Sequence, residues 1–187
     1  MGSDMNNNNV KTVYGRSCDG CTLCCKLLSI EEINKPRLKW CQFCDIGKGC
    51  KTYPDRPNSC KEFHCGYLIS KDIEEFWKPE NSKLILSYKP DVNTIIIFSD
   101  LGRLGAWRSE PFYSRIKAWA VEKVNNNGQV IVWQGKDVIV VLPDREENLG
   151  PIREDQLITI VKKQGQGTPV FAVEVIDKDD KLENFNK

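Results

Sequence analysis

Cys18-Asp19-Gly20-Cys21-Thr22-Leu23-Cys24-Cys25 opens a run of cysteines that continues through Cys41-Gln42-Phe43-Cys44, Cys50 and Cys60 and ends at Cys65. All nine cysteines of the chain lie within these 48 residues. A Cys-x-x-Cys turn lets two thiolates face one ion, because the two intervening residues reverse the backbone. Gly20, Gly47, Gly49 and Gly66 stand close to cysteines, where glycine permits the backbone angles and close approach that such a knuckle needs. Thiolates are soft ligands that select zinc, copper(I) or iron–sulfur clusters. The expected centre draws on Cys18, Cys21, Cys24, Cys25, Cys41, Cys44, Cys50, Cys60 and Cys65. The alternative, nine unrelated buried thiols, fits poorly with two Cys-x-x-Cys spacings in so short a stretch. A thioredoxin-like redox site would need a βαβ context that this stretch lacks.

The number of ions stays open at this point. Two tetrahedral zinc sites use eight thiolates, and so do two cubane iron–sulfur clusters. Nine thiolates with bridging sulfurs suit three zinc ions. Adjacent Cys24-Cys25 argues for two centres close together, since neighbouring residues rarely face one ion. Zinc, as two or more ions, is the expected cofactor, with an iron–sulfur cluster as the alternative.

Composition supports this reading. The chain has 187 residues, 40% of them hydrophobic and 28% charged, as in a globular protein. No apolar stretch reaches the roughly 20 residues that span a bilayer, and no secretory pattern is evident. A cytoplasmic location is expected, with no membrane partner. Reducing cytosol disfavours disulfides, and an odd cysteine count fits complete pairing poorly. From Lys11 to Lys71 there are 11 Lys or Arg against 6 Asp or Glu. That local excess offsets thiolate charge, a reading preferred here over nucleic-acid binding.

The fold class expected is α+β. An irregular, metal-stabilised cysteine-rich part occupies 11–78, after a disordered leader over 1–10. Met1 to Asp4 read as an expression leader, and Asn6 to Asn9 as low-complexity sequence. The first part allows a short helix around Lys26 to Asn34, with Pro36, Pro54 and Pro57 breaking anything longer. A helical patch over Lys71 to Trp77 leads to a soft boundary at Pro79. The second part, 79–187, is expected to be an antiparallel sheet with one main helix. Leu84 to Tyr88 and Thr94 to Ser99 read as strands joined by the turn-like Lys89-Pro90-Asp91-Val92-Asn93. Phe112, Ile116, Ala120 and Val124 recur every fourth residue, which predicts a helix over Phe112 to Val124 ended by Asn125-Asn126-Asn127-Gly128. Gln129 to Trp133 and Val138 to Leu142 predict a hairpin around Gly135-Lys136. Leu157 to Val161 and Val170 to Ile176 predict a second, through Gln164-Gly165-Gln166-Gly167, with a charged tail from Asp177.

Cys18 to Cys25 resembles the signature of the CxxCxxCC (YkgJ-like) family, described as chelating zinc or iron. The likeness continues through Cys41-Gln42-Phe43, Gly49-Cys50, Tyr53, Arg56-Pro57, Cys60, Phe63 and Cys65. Ala106-Trp107-Arg108, Leu142-Pro143 and Leu149-Gly150-Pro151 resemble the tail of some members. The resemblance implies eight ligands: Cys18, Cys21, Cys24, Cys25, Cys41, Cys50, Cys60 and Cys65. Cys44 stands outside that pattern, either as an extra ligand or as a bystander, so Cys44→Ser is expected to do less than Cys24→Ser or Cys60→Ser. Some members are longer flagellin lysine N-methylases, and no added methylase region is evident here.

Other residues carry less. His64 is the only histidine and has abundant thiolates beside it. Arg56-Pro57 with Tyr53 is expected to shape a turn and neutralise thiolates. Gly102-Arg103-Leu104-Gly105 matches a KH-type clamp only if two helices flank it. Trp107, Trp119 and Trp133 are expected in the core. The functional expectation is a metal-binding protein with a multinuclear thiolate site in a structural or metal-handling role. Alternatives are an iron–sulfur protein with a redox or enzymatic role and a zinc-dependent nucleic-acid-binding module. The sequence identifies no protein partner.

Overall fold

The structure, a computed structural model, describes residues 11–153, 155–163 and 170–178. The leader, the Gln164 to Gly167 hairpin tip and the tail beyond Lys178 lie outside the described residues. The chain divides into two compact units, Met1–Ile85 and Leu86–Lys187.

The first unit is built from short pieces. They are α1 (Leu23–Leu27), β1 (Cys44–Asp45), β2 (Gly49–Cys50), α2 (Asn58–Glu62), α3 (Gly66–Ile69) and α4 (Pro79–Ser82). The helix expected around Lys26 to Asn34 is displaced and divided. Leu28 turns extended at the end of α1, and Ile30 then bridges Lys35. A separate single turn covers Glu31–Ile33. Of the patch Lys71 to Trp77, only Glu75–Trp77 is helical, as a tight turn. The division of the chain falls beyond Pro79, for a local reason. Ser82 donates its hydroxyl to the Trp77 carbonyl at 3.1 Å and accepts from the Leu84 amide at 3.1 Å. These bonds tie α4 back to the residues before it.

The second unit has the expected α+β character. Its strands are β3 (Leu84–Lys89, which begins in the first unit), β4 (Thr94–Ser99), β5 (Gln129–Gln134), β6 (Asp137–Val141) and β7 (Glu146–Pro151), in the order β3-β4-β5-β6-β7. β8 (Gln156–Lys163) and β9 (Val170–Asp177) form a separate antiparallel pair. One main helix, α5 (Phe112–Asn125), is present. The sheet is antiparallel at β5–β6 and β6–β7 but parallel at β4–β5. The parallel pair arises because α5 lies between β4 and β5, and a helical crossover returns the chain in the same direction. The β5–β6 turn is tight: Gln134 pairs Asp137, and Gly135 supplies φ +66°.

β7 has no counterpart in the sequence reading. Its Glu146, Glu147, Gly150 and Pro151 do not alternate as a strand, and an edge position tolerates them. A register shift between Asp137 and Ile139 accompanies this edge. Val124, Val140, Leu142 and Phe171 form a buried cluster, with Leu149, Ile158, Ile160 and Val173 packed on it. Trp107 and Trp119 are buried, whereas Trp133 is only partly so. Gly102 and Arg103 belong to one single turn, Leu101–Arg103, and Gly105 precedes another, Ala106–Arg108, so no pair of full helices flanks the segment as a KH-type clamp requires.

The exit from α5 yields one prediction. Asn127 takes φ +54°, and the Gly128 amide reaches back to the Lys123 carbonyl at 2.7 Å. A Cβ on Gly128 would stand 2.3 Å from the Asn93 carbonyl oxygen and 2.7 Å from its Cγ. Backbone occupies that space, so a flexible side chain cannot yield. Gly128→Ala is expected to destabilise the second unit by about 1–3 kcal/mol, the usual range for overpacking. Urea denaturation followed by the circular dichroism of the sheet measures this. An unchanged midpoint would show that the turn relaxes freely.

Candidate metal centre

All nine cysteines are free thiols; Cys41 is buried and the other eight are partly exposed. Each Cys-x-x-Cys knuckle closes on its own backbone. The Cys21 amide donates to the Cys18 carbonyl at 3.0 Å, and the Cys44 amide to the Cys41 carbonyl at 3.0 Å. A further bond, Cys41 amide to Cys25 carbonyl at 2.9 Å, joins the second knuckle to α1. The two loops approach at Gly20, where φ is +75° and a Cβ would lie 3.8 Å from the Gly47 carbonyl oxygen. The Gly47 amide also donates to Thr22 Oγ1 at 3.3 Å.

The thiols sort into two neighbourhoods by mutual influence. Cys18, Cys21 and Cys65 form one. Burial, then the nearby Cys65 and Cys21, push the Cys18 thiol up to about 11, with Arg56 opposing. Burial likewise raises Cys21 and Cys65, and Cys21 adds to the shift of Cys65. Cys24, Cys25, Cys41, Cys44 and Cys60 form the other. Cys25 is raised, first by its hydrogen bond with Cys24 and then by burial, while a hydrogen bond with Cys44 lowers it. Burial and Cys25 together push Cys44 up to about 12, and the same two causes raise Cys60. Cys50 pairs with Cys44 across the β1–β2 ladder and has its sulfur 3.6 Å from Thr52 Oγ1.

Among the described residues, no three His, Cys, Asp or Glu side chains converge closely enough to hold a metal ion. Thiols are soft donors by their chemistry, but among the described residues the side chains as placed form no group of three that could hold an ion. His64 has its Nδ1 3.0 Å from the Glu62 carbonyl oxygen. Arg56 donates to the Tyr53 and Cys60 carbonyls at 3.1 and 3.3 Å and stacks 3.9 Å over the Tyr53 ring. It therefore shapes the turn before Cys60, as its sequence position suggested.

Two residues that the sequence reading passed over support the site. Arg16 donates to the carbonyls of Tyr67, Ser70 and Ile73 at 2.5, 2.8 and 2.6 Å and lies 4.4 Å over the Tyr67 ring. It fastens the strand of chain leading to Cys18 onto the segment just after Cys65. Lys35 is buried, and its ammonium donates to the carbonyls of Lys26 and Leu28. Neither belongs to a repeating pattern; the only available signal was a basic residue near cysteines.

No family model matches the chain, and neither the curated proteins nor the solved structures provide a match. The resemblance to the CxxCxxCC family therefore rests on its motifs alone. Among the described residues, no helix is long and apolar enough to cross a membrane.

Proposed function

We propose that the first unit is a multinuclear thiolate metal-binding module that takes two or more zinc ions in a structural or metal-handling role. Cys18, Cys21 and Cys65 contribute to one centre. Cys24, Cys25, Cys41, Cys44 and Cys60 contribute to another, with Cys50 beside Cys44. The observation that supports this reading is the concentration of nine free cysteines between Cys18 and Cys65, with both Cys-x-x-Cys turns closed by their own backbone hydrogen bonds, in a unit whose helices and strands span at most five residues each. Bound zinc would supply the cohesion such a unit lacks, because structural zinc contributes directly to folding. The chain's own part is to hold soft donors together on knuckles and to keep Lys and Arg near them. The reading takes a reducing compartment, in which thiols stay available.

Elemental analysis of anaerobically purified protein tests it. Two or more zinc ions per chain are expected. One ion or fewer would overturn the multinuclear claim, and iron with acid-labile sulfide would replace zinc by an iron–sulfur cluster.

Proton release is a further expectation. Burial keeps the Cys18, Cys44 and Cys60 thiols above their ordinary range, so they are neutral at pH 7 in the metal-free chain. Ligation requires thiolates, hence zinc binding must expel protons and strengthen as pH rises. Addition of zinc to weakly buffered protein near pH 7 is expected to release roughly two or more protons per ion, read with an indicator dye. Binding without proton release would exclude these thiols as the donors.

A further inference from the structure

Cys44 and Cys50 face each other across the β1–β2 hairpin, in which Cys44 pairs Cys50 and Asp45 pairs Gly49 in antiparallel register. Opposed residues of such a ladder either exchange both backbone hydrogen bonds or exchange none, and those that exchange none stand closer. The Cys44 amide donates to the Cys41 carbonyl at 3.0 Å rather than across the ladder, and the Lys51 amide donates to the Phe43 carbonyl at 2.8 Å. That bond joins the residues flanking the two cysteines and leaves Cys44 and Cys50 as a non-hydrogen-bonded pair. In such a pair the Cα atoms are about 4.5 Å apart and both side chains leave one face of the ladder. A disulfide needs Cα atoms roughly 4.4–6.8 Å apart, so the backbone already meets that requirement.

Other features leave the pair open to reaction. Both thiols are partly exposed, whereas Cys41, the nearest competitor for Cys44 in sequence, is buried. The hairpin tip, Ile46-Gly47-Lys48, is exposed. Gly47 takes φ +78°, which glycine adopts without strain, so no part of the turn has to rearrange. The Cys50 sulfur lies 3.6 Å from Thr52 Oγ1, a weak contact that a change of rotamer gives up at little cost. Packing alone does not account for the pairing, because neither Cys44 nor Cys50 belongs to the buried core.

We propose that Cys44 and Cys50 form a reversible disulfide by thiol–disulfide exchange with a small disulfide such as glutathione disulfide, which makes the β1–β2 hairpin an oxidation site. The thiolate of one cysteine attacks a sulfur of glutathione disulfide, breaks its S–S bond and releases one glutathione thiolate. The thiolate of the other then attacks the protein sulfur of the mixed disulfide and expels the second glutathione. Two protein thiols are oxidised, one glutathione disulfide is reduced to two glutathiones, and the two thiol protons pass to the released glutathione. Excess glutathione runs the exchange backwards, as suits a reducing compartment, where protein disulfides are transient. The inference goes beyond the metal-binding reading and requires no metal.

The test is oxidation of the full chain, purified anaerobically under reducing conditions and freed of small thiols, in glutathione buffers of rising disulfide content. Remaining thiols are alkylated, and the protein is digested with trypsin without reduction. Cleavage after Lys39, Lys48 and Lys51 separates residues 40–48 from residues 49–51. A bond to Cys50 then holds the two peptides together, and fragmentation in a mass spectrometer tells Cys44 from Cys41. The Cys44–Cys50 bond is expected to form in buffers less oxidising than any other pair requires, by roughly 10-fold or more, because a pair preset by the fold reacts at high effective concentration. In guanidinium chloride that advantage should vanish with the ladder, and Cys50→Ser should leave Cys44 without its partner. Earlier bridging of Cys18 to Cys21 or of Cys41 to Cys44, glutathione adducts that never resolve, or an equal preference in denaturant would each overturn the proposal. Elemental analysis of the same samples keeps the two readings apart. A chain without zinc that bridges Cys44 to Cys50 supports this inference and overturns the metal-binding reading; a zinc-loaded chain that never bridges them overturns this inference alone.

Discussion

Stripping metal from the full chain with a chelator under reducing conditions is expected to abolish amide protection between Cys18 and Cys65. Protection along β4, β5 and β6 should persist. The asymmetry follows from what each unit can bury. Between Cys18 and Cys65 the buried apolar side chains are Leu23, Leu27, Ile30 and Cys41. Its longest helices, α1 and α2, have five residues each, and its strands β1 and β2 have two. Helices that short do not form alone, and each ordered residue costs about 1–2 kcal/mol of backbone entropy. Four buried side chains do not offset that across the segment, whereas a structural zinc ion contributes on the order of 10 kcal/mol. The strands of the second unit, by contrast, bury Ile97, Val130, Val132, Val138 and Val140 completely. Amide exchange by NMR before and after chelation measures the outcome. Full protection between Cys18 and Cys65 in metal-free protein would mean that the unit folds on its own contacts, and would leave any metal in a storage or redox role. Cys25→Ser should reproduce much of the chelation effect, since Cys25 is linked to Cys24, Cys44 and Cys60.

The cysteine knuckles were legible because spacing is a property of the chain itself. Which cysteines share a neighbourhood was not, because that depends on how Gly20 meets Gly47 and on the bond from Cys41 to Cys25. Cys44 shows the difference. The motif set it aside, but the structure hydrogen-bonds it to Cys25, so Cys44→Ser is now expected to match Cys60→Ser rather than fall short of it. In the second unit, α5 was legible from its period of four, and β4, β5 and β6 from short apolar, β-branched runs bounded by turn residues. Strand direction was not. Thr94 to Ser99 and Gln129 to Gln134 are β-branched and apolar, a composition that suits either orientation. Only the placement of α5 between them makes the pair parallel. β7 escaped notice because an edge strand does not need an alternating pattern.

Ile116→Ala is expected to lower the stability of the second unit by about 2–5 kcal/mol, the range for removing a large buried aliphatic side chain. Ile116 sits at the centre of the buried stripe of α5, between Phe112 and Ala120, with Trp119 and Val124 on the same side. Ile116 and Ala120 are both fully buried, as their four-residue spacing suggested. Side chains four apart project from one helix face, so the loss opens a void beneath a stripe that Phe112 and Trp119 already fill. Rigid neighbours on both sides leave little room for collapse, which places the cost toward the upper part of that range. For a unit near 100 residues, each kcal/mol moves the melting midpoint by about 4–8 °C, so the shift should exceed roughly 8 °C. Val121 provides the control on the same helix: it is 45% exposed, and Val121→Ala should stay within about 0.5 kcal/mol. Thermal denaturation followed at the amides of β4 to β6, with zinc present throughout, separates this unit from events in the cysteine-rich one. Equal shifts for the two variants would mean that the stripe through Ile116 is not the face by which α5 is held.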